Sequence, residues 1–256
     1  MMKEAQAQKN DAPLGRNRTG IELSPIDKQS MLEVTALTVP STEGDETTLE
    51  QTRAEYIGEG ERIGSVPPPA TAKGIAKTGL DAMKGIKATV FIDKLGERLA
   101  FERTGTRLYG ALIGKCDASP ALPGGPTSAD LQAIQAEELA HFELVREVIV
   151  SLGGDPTAVT PSADVVSVMS SGLLQIITDA RTSLKQSLEA ILVAELADND
   201  GWMMLIHLAQ SSGHEQIAAR FEEARMTEER HLTHVRQWIM AATDAAAMPA
   251  KAAGRA

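Results

Sequence analysis

Two stretches of the chain, "EELAHFEL" from position 137 and "EERHLTHV" from position 228, each place a glutamate three residues ahead of a histidine: Glu138 with His141, and Glu228 with His231. Their flanks constrain what the chain can fold into. Steps of three and four through the first stretch give Leu131, Ile134, Glu138, His141, Val145 and Val148; through the second they give Ile217, Phe221, Ala224, Glu228, His231, Val235 and Trp238. Each pair therefore sits in the middle of the apolar stripe that a helix buries against its neighbours. A third stripe runs through Leu188, Ile191, Glu195, Asp198, Trp202 and Leu205, and a fourth, less regular, through Leu95, Leu99, Glu102, Tyr109 and Leu112. Four glutamates are thus directed inward from four helices.

A buried carboxylate without a partner costs at least several kcal/mol, so four in one core must be protonated or must face positive charge. The stripes as traced hold no Lys or Arg. Two divalent cations would match the four charges of Glu102, Glu138, Glu195 and Glu228. Residues at i and i+3 are neighbours on a helix, about 5–6 Å apart at Cβ, so each of Glu138 and Glu228 can bridge two metals while His141 or His231 binds one. Mixed carboxylate and imidazole donors suit iron or manganese better than magnesium or calcium; zinc is left open by sequence. The expected cofactor is two iron ions per chain, or alternatively two manganese.

The fold class expected is all-α. Residues 90–243 read as four long helices, over about 90–115, 129–152, 182–211 and 214–243, in the order hairpin, long crossover, hairpin. The first ends in "CDASPALPGGPTSAD", where Ser128 or Asp130 can cap the second, and the second ends at "GGDP". The crossover contains an apolar stretch, "ADVVSVMSSGLLQIITDA", expected to be an extra helix. Residues 1–66 are polar and read as mostly disordered, with room for a short helix near 50–57. "SVPPPATAKG" reads as a stiff hinge, residues 67–89 as hinge and short helical arm, and 244–256 as a flexible tail.

An excess of 35 Asp and Glu over 25 Lys and Arg argues against a nucleic-acid surface. No apolar run is long enough to span a membrane, and the N-terminal residues lack a secretory or transit pattern. The single cysteine, Cys116, excludes an intramolecular disulfide and a Cys-based zinc or iron site. A reducing cytoplasm is the expected location.

The first and second halves of the helical region echo each other, since Glu102 and Glu195 are each followed seven residues on by an aromatic, Tyr109 and Trp202. One glutamate from each of two helices, with Glu-x-x-His from each of the other two, resembles the ferritin-like superfamily, which includes ferritin, bacterioferritin, rubrerythrin and manganese catalase. Within it, "DKLGERLAFERTGTRLYGALIGK", "EELAHFELV", "GGDPTAVTPSADV", "AELADNDGW" and "HLTHVRQW" look like a bacterial group described as ferritin-like domain-containing proteins. The resemblance covers about residues 67–243. It implies an antiparallel four-helix bundle with Glu102 and Glu195 as single carboxylate ligands and the two Glu-x-x-His pairs as the remaining four. It also matches Tyr109 to the aromatic near ferritin di-iron sites. No Cys-x-x-Cys pair is present, which sets the chain apart from rubrerythrin.

Among the remaining residues, Asp198 reads equally as an acceptor orienting a ligand histidine or as a satisfied polar core residue, and Glu137 is a second candidate for the orienting role but reads first as solvent-facing. Tyr109 and Trp202 read as core residues placed where a redox role is also open. His234, His207 and His214 are expected outside the ligand set. The leading functional expectation is a di-iron protein that reacts with O2 or peroxide, as oxidase, peroxidase or ferroxidase. A dimanganese catalase-like enzyme uses the same ligands, and a non-enzymatic iron store would need a closed homo-oligomeric cage. The partners expected are metal ions, O2 or peroxide and, for assembly, further copies of the chain.

Overall fold

The computed structural model describes residues 24–37, 46–61, 63–69, 74 and 88–247. Among these the protein is all-helical, with seven helices and no strand. The chain divides into two units, Met1–Gly60 and Glu61–Ala256. The first contains α1 (Pro25–Leu37) and α2 (Glu46–Glu59). Helix α2 extends the short helix read near 50–57; α1 lies in the segment read as polar and disordered. Its start is nonetheless written in the sequence, since Ser24 bonds to Asp27 and Pro25 occupies the first helical position, where a missing N–H costs nothing. No residue of α1 is buried.

In the second unit, α3 (Ala88–Ala118), α4 (Ser128–Ser151), α5 (Pro161–Thr178), α6 (Leu184–Ser211) and α7 (Glu215–Ala247) account for almost every described residue. Helix α4 begins one residue earlier than the cap read from sequence. Thr127 is the N-cap: its side chain accepts from the Asp130 amide, and Asp130 returns a bond to the Thr127 amide, satisfying two donors that the first turn leaves free. Ser183 and Gln186 start α6 in the same way. The "GGDP" stop acts through Gly153 (φ 86°), and Gly213 (φ 74°) ends α6 likewise; both are left-handed positions that a side chain would strain. The helical arm read over 70–85 lies outside the described residues except for Gly74, as does the tail beyond residue 247.

Contacts across the helices fix their directions. Asp117 meets Ser128 and the Gln135 side chain donates to the Thr106 carbonyl, so α4 runs back along α3. Glu147 pairs with Arg220 and Glu137 with Arg230, so α7 runs opposite to α4. Trp202 packs against Phe221, and α6 runs opposite to α7. Helix α6 also packs on α3, closing the ring of four, while the crossover helix α5 lies against α3 and α6. Asp93 of α3 accepts from the amide and hydroxyl of Ser162 at the start of α5, and Lys115 donates to the carbonyls of Asp179 and Thr182 after its end.

The core has three levels. One apolar cluster includes Leu108, Leu112, Leu131, Ile134, Leu188, Ile191 and Val235. The other includes Leu95, Val145, Val148, Trp202, Leu205 and Phe221. Along every helix the charged residues fall between the two: 102 lies between 95 and 108, 138 between 134 and 145, 195 between 191 and 202, and 228 between 221 and 235. Dry layers thus seal a charged one from both ends.

Candidate metal centre

All six residues singled out by spacing converge in that middle layer, and all are at most 7% exposed: Glu102, Glu138, His141, Glu195, Glu228 and His231. Potential ligand atoms within 4.8 Å of one another form overlapping sets. Glu138, Glu195, Glu228 and His231 make one, and Glu102, His141 and Glu228 make another. A third set joins Glu102, Glu138, Asp198 and Glu228. Glu228 belongs to all three and Glu102 and Glu138 to two each, whereas Glu195, Asp198 and each histidine belong to one.

Both imidazoles turn Nδ1 inward. His141 Nδ1 lies 2.5 Å from Glu228 Oε1 and 3.9 Å from Glu102 Oε2; His231 Nδ1 lies 3.1 Å from Glu228 Oε2, 3.5 Å from Glu138 Oε1 and 4.0 Å from Glu195 Oε2. Despite the 2.5 Å approach, His141 Nδ1 and Glu228 Oε1 are not aligned as a hydrogen bond, and both are buried without one. Glu102 Oε2, Glu138 Oε2 and Glu195 Oε2 share that condition. Buried polar atoms almost always find a partner, so five unsatisfied atoms converging on one spot fit a cation that accepts them all.

Burial pushes the Glu102 carboxyl well above its usual range, with Asp198 and neighbouring glutamates adding to the shift against the pull of Arg98. Glu195 and Glu138 are raised for the same first reason, burial. Burial would also raise Glu228, but the His141 and His231 imidazoles beside it outweigh that and hold this carboxyl at about 2. His231 goes the other way: burial disfavours its charge, yet Glu138 and Glu228 bring it up to about 11. Burial thus favours the protonated form of Glu102, Glu138 and Glu195, while Glu228 favours its charged form. A raised folded pKa contributes stability below the unfolded value, 4.5 for Glu and 6.5 for His, and loses it as pH rises through the folded value. Chelator-treated protein is therefore expected to melt at steadily lower temperature from about pH 5 to about pH 9. A flat or rising profile of melting temperature over that window would contradict these environments.

Three further side chains adjoin these six. Arg98, absent from the traced stripes, is 3% exposed and directed into the same layer, where it pairs with Asp198 and lies 3.4 Å from Glu102 Oε1. Asp198 accordingly binds Arg98 rather than orienting a histidine. The formal inventory of the layer becomes five carboxylates and one guanidinium, besides the two histidines. Glu137, expected to face solvent, is half-buried and meets His231 Nε2 at 2.6 Å while its other oxygen pairs with Arg230. It is the carboxylate that fixes the His231 ring.

Tyr109 and Trp202 are both fully enclosed. Tyr109 donates to Glu195 Oε1, and burial raises its own pKa well above 10.0. Trp202 packs its ring edge-on to His141, 5.4 Å between centroids. The other histidines stand apart: His234 and His207 are exposed, and His214 stacks on Phe91. Cys116 is a free thiol facing the Pro126 carbonyl.

No helix among the described residues is long and apolar enough to cross a membrane. Comparisons with protein-family models, curated proteins and solved structures gave no match.

Proposed function

We propose that Glu61–Ala256 is a ferritin-like four-helix bundle whose α5 is the extra crossover helix, and that its middle layer holds two iron ions reacting with O2 or peroxide. The observation supporting this most directly is the set of five buried, unsatisfied atoms on Glu102, Glu138, His141, Glu195 and Glu228. An apolar core with protonated glutamates would give no reason for both imidazoles to aim Nδ1 at the same carboxylates.

In this reading Glu102 and His141 hold one metal, Glu195 and His231 hold the other, and Glu138 and Glu228 are shared. Bound iron supplies one-electron redox steps and Lewis acidity toward an oxygen ligand. The protein's own contribution is placement. Glu137 holds the His231 ring through Nε2, Tyr109 holds Glu195 by its hydroxyl, and the apolar layers exclude water, which strengthens every charge interaction between them. Manganese fits the same donors and would favour peroxide disproportionation. The one free thiol, Cys116, supports a reducing, cytoplasmic setting.

The deciding experiment is metal content per chain after expression with iron and manganese both supplied, beside a Glu138→Ala/Glu228→Ala variant. About two iron ions per chain in the parent and none in the variant are expected. Two manganese would shift the reading to the catalase-like branch, and equal metal in both proteins would remove these residues as ligands.

A further inference from the structure

A surface cleft of about 290 Å3 opens on α3 and α6, bordered by Lys94, Glu97, Asp200, Gly201 and Met204, and Arg98 forms part of its lining. Arg98 is therefore the single side chain that touches both the cleft and the charged layer, with Nη1 bonded to Asp198 and to Glu102. Its guanidinium lies in the space that a side chain at 201 would fill, since a Cβ there would overlap Nη2. The ring of Phe101, 4.7 Å from the guanidinium carbon, covers one face.

A guanidinium has five planar N–H donors. Among the described residues only Nη1 makes hydrogen bonds; Nη2 and Nε have none. Trp202, centred 5.9 Å from the guanidinium, is fully buried with its Nε1–H also unsatisfied. A permanent cation with unused planar donors, lining a small cleft one helical turn from Glu102, is suited to a small anion and unsuited to a metal cation.

We propose that Arg98 binds a small anionic ligand, the size of azide, formate or hydroperoxide, arriving at the metal centre through the cleft over Gly201. The inference rests on the dinuclear reading above. Gly201 leaves room for the guanidinium, Phe101 and Trp202 flank it, and Asp198 holds it in place. An anion bound there would sit beside the half-site of Glu102 and His141.

The test is azide binding to cobalt(II)-loaded protein, followed by the visible spectrum, with hydroxylamine at about pH 8 as a neutral ligand of similar size. The parent is compared with Arg98→Met/Asp198→Leu, which replaces the buried ion pair by apolar groups, a change that is often neutral for stability. Azide should bind the double variant at least tenfold more weakly with cobalt content and hydroxylamine affinity unchanged. Equal azide affinity, or parallel loss of both ligands, would overturn the role of Arg98. If the double variant does not fold, Arg98→Lys decides. It is expected to weaken azide at least threefold while sparing hydroxylamine, and unchanged azide binding overturns the proposal. Failure of the parent to take up cobalt would instead remove the metal reading itself.

Discussion

Replacing Glu138 by Met should change the sign of its effect on stability with metal. Glu138 is 1% exposed, its Oε2 has no hydrogen bond, and burial raises its pKa, so in chelator-treated protein it is a liability. An apolar side chain of similar length should stabilise that form by about 1–4 kcal/mol, the range seen when buried charges give way to packing. With metal the order should reverse. Metal at about a thousand times its dissociation constant stabilises the parent by about 4 kcal/mol, and the variant, lacking a shared ligand, should gain little of it. Paired thermal melts of parent and variant, with chelator and with iron(II) under anaerobic conditions, read both signs. A variant that is the more stable under both conditions would make the buried cluster a structural oddity with no use for metal.

Much of this centre was legible because a helix repeats every 3.6 residues. Stripes through 131–148, 188–205 and 217–238 placed Glu138, His141, Glu195, Glu228 and His231 inside before any coordinates did, and every charged residue on them is buried. Arg98 escaped for a physical reason. It is one position from Leu99, at the edge of an irregular stripe, where a long cationic side chain ordinarily runs outward to water. The clue lay a hundred residues away, in Gly201 and Asp198, and only packing brings those to α3. Glu137 lies beside the stripe of α4, half-exposed, and its part in the layer depends on α7 supplying His231. Helix α1 shows the opposite limit: "SPID" is a local start signal, but a helix with no buried face leaves no periodicity to read.

Gly105 is the second position where a small change should have a large effect. It lies on α3 between Glu102 and Tyr109, and an added Cβ would overlap Glu138 Oε2 on α4. Glycine inside a helix costs roughly 1 kcal/mol relative to alanine, so its presence here needs a compensating reason. The reason is access: only without a side chain at 105 can the Glu138 carboxylate reach the centre from its own helix. Gly114, on the same helix with nothing within 4 Å of its added Cβ, supplies the control. Gly114→Ala should raise stability by up to about 1 kcal/mol and leave metal affinity unchanged. Gly105→Ala should weaken metal binding at least tenfold, because a shared ligand displaced by about 1 Å no longer meets both half-sites. Calorimetric titration of the two variants with manganese(II) separates helix propensity from ligand placement. If Gly105→Ala binds metal as the parent does, then Glu138 does not need the position in which it stands, and its assignment as a shared ligand fails.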